Sequence, residues 1–366
     1  MEKLSQLREK IDEIDESIVN LLEERASIVL KVKEAKAESN VNIYSPSREV
    51  EIRERVQELS KDGNFPKETL DTIFSSIVGA TRSLIGKLTI AYFGPPWSRA
   101  YQAAFRQFGE DVNFLSCDSV NGVVEACSRG EASYGIVPIE TSSGGVFSRT
   151  CSALLSKGND RLNVVAEIKL KQSLAIFSEA ASLEAVETLY GDASSFIEAE
   201  SWLSERLPKV KRELLIESDS LAELLSKERN AAFLGPEEIL TEESLTALAK
   251  GINSSSGEKV NTSVARFFVL GNTPARETKR DRVSIICGVK EHAGALHEVL
   301  KFFAEREINL TKIESKMLNG QLSFFIDIDG SLSSEKISGA VAELDKETVF
   351  LKVLGSYPSA LEPGRA

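Results

Sequence analysis

Residues 88–93 read Leu-Thr-Ile-Ala-Tyr-Phe, and the pattern of apolar residues changes at this point of the chain. Before it, apolar residues recur every three or four positions, which is the spacing of one face of an α-helix. After it, short runs rich in β-branched and aromatic residues alternate with helical stretches, which is typical of an α/β domain with a largely parallel sheet. We therefore predict a helical domain over residues 1–87 and an α/β domain over residues 88–272.

Within the α/β part, each predicted strand is a short apolar run bounded by helical or turn-forming sequence. These runs are residues 88–93, 112–115, 134–139, 164–168, 174–177, 231–234 and 265–270. The segment 271–280 is rich in charges and contains Gly and Pro, so it is predicted to link two domains. Residues 281–357 then follow the order β-α-β-β-α-β, which predicts a ferredoxin-like α+β domain.

The helical part opens with a long apolar seam that continues for about 35 residues. Its members are Leu4, Leu7, Ile11, Ile14, Ile18, Leu21, Ile28 and Val32. A helix over residues 4–38 would be roughly 50 Å long, which is more than a small domain can cover, so we expect it to pair with a second copy in a dimer. Ser45-Pro46 predicts the start of a second helix, and Pro66 predicts the start of a third.

Composition excludes several classes of function. The chain has 366 residues and a formal net charge of -12, which disfavours nucleic acid or an anionic membrane as its main partner. Its two histidines are His292 and His297, so a Ser-His-Asp site or a histidine-bound metal is excluded before residue 292. We predict no cofactor and no metal.

The cysteines and the hydropathy of the chain predict its compartment. Cys117, Cys127, Cys151 and Cys287 show no C-x-x-C spacing, which argues against a zinc or thioredoxin motif and favours free thiols in a reducing cytosol. No stretch approaches the ~20 apolar residues of a membrane span, and the first residues do not resemble a signal peptide. We expect a soluble, cytoplasmic protein.

One position breaks the seam of the first helix. The spacing of three and four continues past Leu21 onto Arg25, and a guanidinium among apolar residues needs an anion. Lys36 lies 11 residues further on and shares that face, whereas Arg8 points about 100° away and reaches the same place only from an antiparallel partner. The pattern alone leaves open a simple ion pair of Arg25 with a core glutamate, and it makes Arg48 and Glu49 surface residues.

Four stretches of this region resemble the helical chorismate mutase family: residues 7–11 (LREKI), 21–25 (LLEER), Lys36, and 44–49 (YSPSRE). The resemblance implies an interlocked helical dimer in which the first helix serves two active sites. It implies that Arg25 and Arg48 of one subunit and Arg8 of the other bind the carboxylates of chorismate. Lys36 and Glu49 would then lie near the ether oxygen and the hydroxyl of the substrate.

Such a site suits a chain with few histidines, because a pericyclic rearrangement needs only a clamp and charge stabilisation. Ser45 stands where the family usually has Asp, and the stretch 76–84 contributes Thr81. Directly after this stretch the family has a Gln or Glu that contacts the ether oxygen of the substrate. Ile85 stands at that position here.

The α/β part resembles prephenate dehydratase, through residues 90–95 (IAYFGP), 134–140 (YGIVPIE) and 266–271 (RFFVLG). The resemblance implies a fold like a two-lobed periplasmic binding protein, with the site in the cleft. In the family's reaction the ring hydroxyl leaves as CO₂ departs. The implied site residues are Ser98, Glu140, Thr141, Ser142, Ser143, Arg266 and Phe267.

This part departs from the family pattern at three places. Residues 96–99 read Pro-Trp-Ser-Arg, Thr141 replaces an Asn, and Ala265 replaces a threonine that would be the general acid. A hydroxyl of Thr141, Thr262 or Ser263 remains available as a substitute.

The last part resembles an ACT regulatory domain, through residues 294–297 (GALH) and 308–316 (INLTKIESK). The resemblance implies phenylalanine binding at an interface between domains. The implied effector residues are Gly294, Ala295, Leu296, His297, Asn309, Leu310, Glu314 and Ser315.

Together the three resemblances imply a bifunctional chorismate mutase/prephenate dehydratase, at least dimeric, that is feedback-regulated by phenylalanine. Ile85 and Ala265 leave two alternatives open. One is an altered reaction, such as a prephenate decarboxylation or action on a chorismate relative. The other is a phenylalanine-sensing paralogue without catalysis.

Overall fold

The computed structural model describes residues 2–37, 45–141, 145–156, 158–159, 161–215, 221–228, 230–237, 246–252 and 263–360. Ser142 and Ser143 lie outside the described residues, as do Thr262 and the side chains of Lys36 and Ser263.

The N-terminal part is helical, as predicted. It consists of α1 (Glu2–Ala37), α2 (Pro46–Leu59) and α3 (Lys67–Ser83). Ser45 occupies the N-cap of α2 and Pro46 its first turn, although the Ser45 hydroxyl makes no capping hydrogen bond. α1 is about 54 Å long, and its apolar face is open to solvent, with Ile11 56% and Leu21 64% exposed.

The α/β part is divided into two lobes, each built on its own sheet. The first lobe contains β1 (Thr89–Phe93), α4 (Arg99–Phe108), β2 (Asn113–Cys117), α5 (Val120–Ser128), β3 (Tyr134–Thr141), β4 (Gly145–Val146), α6 (Ser148–Leu155) and β5 (Asn163–Gln172). The second lobe contains β6 (Leu174–Ser178), a 3₁₀ turn (Leu183–Ala185), β7 (Thr188–Gly191), α7 (Ala193–Arg206), β8 (Lys211–Leu214), α8 (Leu221–Lys227), β9 (Ala231–Pro236) and β10 (Ala247–Lys250). The chain returns to the first lobe through β11 (Ser263–Gly271).

The sheets are mixed, which corrects the prediction of a largely parallel sheet. The first has the order β2-β1-β3-β11-β5, and the second has the order β10-β6-β9-β7-β8. β1 pairs in parallel with β2 and β3, but β11 runs antiparallel to both β3 and β5. The reason is the connection between the lobes: β5 leads the chain out and β11 brings it back, so these neighbours must run in opposite directions.

The C-terminal part has the predicted order of elements. These are β12 (Asp281–Gly288), α9 (Ala295–Ala304), β13 (Leu310–Leu318), β14 (Gln321–Asp329), α10 (Glu335–Glu347) and β15 (Phe350–Pro358). They form an antiparallel sheet of order β13-β14-β12-β15, and α9 and α10 cover one of its faces.

The other face of this sheet packs on the first lobe. The ring of Phe268 on β11 lies 6.4 Å from that of Phe325 and 5.7 Å from that of Tyr357. Gly355 on β15 has no side chain to separate the two sheets: a Cβ there would lie 2.1 Å from the carbonyl oxygen of Val164. The two domains therefore share one continuous core.

A buried guanidinium crosses this junction. Arg266 Nε donates to Glu167 at 2.6 Å, and Nη1 donates to Asp327 at 2.5 Å. Nη2 donates to the hydroxyl of Tyr357 at 2.9 Å. The Arg266 side chain is 5% exposed, and the side chains of Glu167 and Asp327 are 0% and 1% exposed.

The charges in this network hold one another in their ionised forms. Burial opposes the ionisation of Glu167, but Arg266 and Arg282 outweigh it and lower the pKa of Glu167. Burial likewise opposes the charge of Arg266, and Tyr357, Glu167 and Asp327 outweigh it and raise the pKa of Arg266. Each ion is therefore stabilised only by its partners.

None of the described helices combines the length and the apolar character of a membrane span. Nor do the described His, Cys, Asp and Glu side chains form a group of three or more that could hold a metal ion. The four cysteines are free, and burial raises the pKa of Cys127, Cys151 and Cys287 to about 12.

We expect Arg266→Met to lower the free energy of unfolding by about 3–5 kcal/mol, because it leaves Asp327 buried without its cation and Glu167 with Arg282 alone. Urea denaturation followed by fluorescence measures the change. Arg280→Met, at an exposed position just before β12, is the control and should be close to the unsubstituted chain. Equal stabilities for the two variants would contradict this role of Arg266.

Candidate active and regulatory sites

The first candidate site lies where α1 meets α3. Arg25 Nη1 donates to the hydroxyl of Thr81, and to the carbonyl oxygen of Ile77 at 3.4 Å. Arg25 is half-buried, and no ion pair of Arg25 occurs within the described part of the chain, so the alternative of a core glutamate partner finds no support there. Burial and the nearby charge of Arg48 both lower the pKa of Arg25. The structure thus brings Arg25, Arg48 and Thr81 into one neighbourhood.

Arg48, Arg8 and Ile85 are three further predicted residues of this site. Arg48 is exposed and pairs with Glu51 at 2.8 Å. Arg8 is exposed on α1, 17 residues and roughly 25 Å along the helix axis from Arg25. Ile85 lies just beyond the end of α3 and is half-buried. Arg8 therefore does not reach Arg25 of its own chain.

The helical pattern alone predicts that Glu49 is a surface residue, and the structure corrects this prediction. Its carboxylate accepts from Arg82 Nη1 at 2.5 Å and from Gln107 Nε2 at 3.0 Å. Burial raises the pKa of Glu49 to about 7, even though Arg82 and Arg53 act to lower it. No sequence pattern indicates this arrangement, because Arg82 carries no expected role and Gln107 belongs to the α/β domain.

The second candidate site is on the first lobe of the α/β domain. Ser98 is the N-cap of α4: its hydroxyl accepts from the backbone N–H of Tyr101 at 3.2 Å and donates to the carbonyl oxygen of Phe93 at 3.1 Å. Phe267 and Ala265 are buried in the core beneath α4. Thr141 is also buried, and it lies directly opposite Ala265 in the pairing of β3 with β11.

The register places the Thr141 side chain on the same face of the sheet as the Cβ of Ala265, because residues directly opposite in an antiparallel pair share a face at about 5 Å. The next pair, Glu140 and Arg266, points to the other face and toward the C-terminal domain. The resemblance to prephenate dehydratase implies that Arg266 lies in the substrate site. Its N–H groups donate instead to carboxylates and a tyrosine of its own chain.

Residues 96–99, where the chain departs from the family pattern, reach across to the second lobe. Trp97 packs against Phe233 with ring centroids 5.2 Å apart, inside the core of that lobe. Arg99 binds both carboxylate oxygens of Glu198 on α7, at 2.7 and 3.2 Å, and the hydroxyl of Ser195 at 3.2 Å. Trp97 and Arg99 therefore join the two lobes, one by packing and the other by an ion pair.

The predicted effector residues lie on two elements. Gly294 is the N-cap of α9 with φ 99°, Ala295 is buried, and Leu296 and His297 are exposed. Along β13 the side chains alternate, so that Glu314 faces the first lobe. Asn309 and Ser315 are exposed, and Leu310 is half-buried. The structure therefore does not place Glu314 and Ser315 on one face of the strand.

β13 contacts the end of β3 and β4, which lie on either side of the predicted dehydratase residues Ser142 and Ser143 in the sequence. Lys312 Nζ pairs with Glu140 at 2.5 Å, and Glu314 accepts from the backbone N–H of Val146 at 2.9 Å. Gly145 permits this approach, because it has φ 66° and a Cβ there would lie 2.7 Å from a Glu314 oxygen. Burial opposes the ionisation of Glu314, but Lys316, Lys312 and the Val146 N–H outweigh it and lower its pKa.

Two family models match successive parts of the chain. The family model described as prephenate dehydratase matches residues 90–275, and the model described as chorismate mutase type II matches residues 7–85.

Two full-length relatives carry the same pair of names. The bifunctional chorismate mutase/prephenate dehydratase of Aquifex aeolicus is 35% identical over 370 residues, covering 99% of this chain and 99% of the relative. The protein of the same name from Stutzerimonas stutzeri is 30% identical over 370 residues, covering 98% of this chain and 99% of the relative.

Solved structures agree on the fold. The prephenate dehydratase of Arthrobacter aurescens in complex with L-Phe superimposes with a TM-score of 0.62 at 24% identity, over 75% of this chain and 94% of that one. GqqA, described as a quorum quenching acylase, gives a TM-score of 0.59 at 20% identity, over 74% of this chain and 98% of that one. Since one fold carries different activities, these likenesses show architecture alone.

We expect Glu314→Ala to speed hydrogen exchange of the Val146 amide by roughly ten- to a hundredfold, since a hydrogen bond to a charged acceptor is lost. Exchange of peptides spanning 145–156, read by mass spectrometry, measures it. Glu298→Ala, at an exposed position of α9, is the matched control. An unchanged Val146 amide in Glu314→Ala would contradict the contact between β13 and β4.

Proposed function

The chain belongs to the bifunctional chorismate mutase/prephenate dehydratase family, and on that premise we propose that it carries out both reactions. The helical domain would convert chorismate to prephenate, and the α/β domain would convert prephenate to phenylpyruvate, CO₂ and water. The observation that carries this proposal is the 35% identity to a bifunctional relative over 99% of both chains. The domain limits proposed are residues 1–87, 88–272 and 281–357.

The electrostatics of the α1–α3 neighbourhood support the mutase step. Arg25 and Arg48 repel each other enough to contribute to the lowered pKa of Arg25. A dicarboxylate between them relieves that repulsion, so the site favours a dianionic substrate. Thr81 fixes the Arg25 guanidinium by accepting a hydrogen bond from it. We propose that Lys36, Ser45 and Glu49 complete the site around the substrate.

A second copy of the chain would supply the missing arginine. The apolar seam of α1 is open to solvent in the single chain, with Leu7 50% and Ile18 49% exposed. Burying such a face is strongly favourable, and an antiparallel copy of α1 is the partner of matching length and pattern. That arrangement brings Arg8 of the partner toward Arg25. The assembly proposed is therefore at least a homodimer.

The dehydratase step needs a proton donor for the departing ring hydroxyl, while the bond to the carboxylate breaks and releases CO₂. Ala265 has no proton to give. Thr141 lies opposite it on the same face of the sheet, and we propose that its hydroxyl takes the place of the missing threonine. Ser98, Ser142, Ser143 and Phe267 would line the site, with Glu140 and Arg266 supporting it from the other face of the sheet.

The C-terminal domain would be the regulatory part. Its β-α-β-β-α-β order and sheet order β13-β14-β12-β15 support a ferredoxin-like arrangement, and we propose that it is an ACT domain. We propose L-phenylalanine as its effector, because the solved dehydratase from A. aurescens is described as a complex with L-Phe. The effector would bind at Gly294 to His297 and at Asn309, Leu310, Glu314 and Ser315. The free cysteines agree with a cytoplasmic location.

Purified chain mixed with chorismate should yield phenylpyruvate, with prephenate as the intermediate. Liquid chromatography with mass detection follows all three compounds. Arg25→Ala should lower prephenate formation by at least about a hundredfold, while added prephenate is still converted. If neither prephenate nor phenylpyruvate appears from chorismate, the proposed function is wrong, and binding of phenylalanine by the inactive chain would identify a sensor.

Thr141→Val should lower conversion of added prephenate by about 10²–10⁴-fold, because valine keeps the shape of threonine but donates no proton. In that background Ala265→Thr should restore much of the rate, since it returns a hydroxyl to the same face. Ala265→Val is the matched control and should not. Full activity of Thr141→Val would contradict the role of Thr141, and a product that keeps the ring hydroxyl would indicate a decarboxylation instead.

A further inference from the structure

The partners of Glu49 come from two domains. Its side chain is 13% exposed and lies in a shallow pocket that residues of α2, α3 and α4 line. Arg82 of α3 binds one carboxylate oxygen at 2.5 Å, and Gln107 of α4 binds the other at 3.0 Å. With each oxygen held by a different donor, the plane of the carboxylate is fixed, and each oxygen keeps a lone pair for a further donor.

Arg82 is itself held by the end of α4. Its Nη2 donates to the carbonyl oxygen of Phe108, the last residue of that helix, and its guanidinium lies 5.3 Å from the centre of the Phe108 ring. A cation at this place is favoured, because the carbonyl groups at the end of a helix carry partial negative charge. Both donors to Glu49 therefore depend on the last turn of α4, which belongs to the α/β domain.

α4 also reaches the other candidate site. It begins directly after Ser98, whose hydroxyl caps it, and it ends ten residues later beside Glu49. The helix is roughly 15 Å long. One rigid element thus connects the loop that bears a dehydratase-site hydroxyl to the partners of a mutase-site carboxylate.

We propose that Arg82 and Gln107 are positioning residues for the mutase reaction, and that the last turn of α4 sets the orientation and charge of Glu49. The proposal rests on the mutase function proposed above. It goes beyond the family motif, in which neither residue carries an expected role, and it makes the helical site dependent on the α/β domain.

The charge of Glu49 provides a readout that a merely structural role would not move. Burial raises its pKa to about 7, and the positive charges facing it are Arg82 on α3 and Arg53 on α2, while α4 contributes the neutral Gln107. Glu49 accepts a hydrogen bond from a substrate hydroxyl most strongly as a carboxylate. Mutase activity should therefore fall as the pH drops below about 7, and loss of Arg82 should move that fall to higher pH.

The test compares Arg82→Gln, Arg82→Lys and Gln107→Leu with a control, Arg106→Gln. Arg106 is an exposed arginine in the same turn of α4 as Gln107. In Arg82→Gln the acid limb of mutase kcat/KM should shift upward by about one pH unit or more, so that the rate on the acid side falls roughly tenfold. The change should lie in kcat more than in KM. Arg82→Lys should recover part of the rate, because it returns the charge.

Gln107→Leu should lower kcat with a smaller pH shift, since it removes a donor but no charge, and Arg106→Gln should match the unsubstituted chain. An acid limb that stays in place in Arg82→Gln, or moves equally in Arg106→Gln, overturns the proposal. The pH titration of the Glu49 carboxyl, obtained by ¹³C NMR with Glu49→Gln for assignment, gives the same comparison without turnover. If the chain has no mutase activity but the pKa of Glu49 still rises in Arg82→Gln, the mutase function is refuted. The effect of Arg82 on the charge of Glu49 is then still supported.

Discussion

The guanidinium of Arg266 is the constraint on which the arrangement of the domains depends. It lies on the strand that returns from the second lobe, and it binds a carboxylate of the first lobe and a carboxylate of the C-terminal domain at once. A charge buried this deeply is tolerated only when every donor has an acceptor, because its desolvation costs several kcal/mol. The two domains must therefore dock in one orientation, and the close approach at Gly355 allows it.

The same principle explains how contacts between domains reach the candidate sites. Lys312 and Glu314 bring β13 to the end of β3 and to β4, so a change on β13 bears on the backbone of β4. At the other side of the first lobe, α4 meets Glu49 through Gln107 and Arg82. The α/β domain thus contacts both other domains, and each of them is joined to it by a charged group with low exposure to water.

The residues that depart from the family pattern have structural partners that their sequence positions do not reveal. Trp97 and Arg99 join the lobes, and Thr141 lies opposite Ala265. Ala265, which lacks the hydroxyl expected at that motif position, thus has the Thr141 hydroxyl opposite it on the neighbouring strand. The register of β3 and β11 establishes that relation, and the register follows from a chain that leaves the first lobe and returns to it.

The sequence by itself determined the three helices, the alternation of strands and helices, the order of elements after residue 280 and the family. These follow from periodicities of two and 3.6 residues and from short motifs, which are local properties of the chain. The tertiary structure alone decided that the sheets are mixed, that Arg266 faces carboxylates of its own chain and that Glu49 is buried beside Arg82. Those outcomes depend on which of many charged residues, between 33 and 126 positions apart, come together when the domains pack. No local pattern of residues encodes that choice.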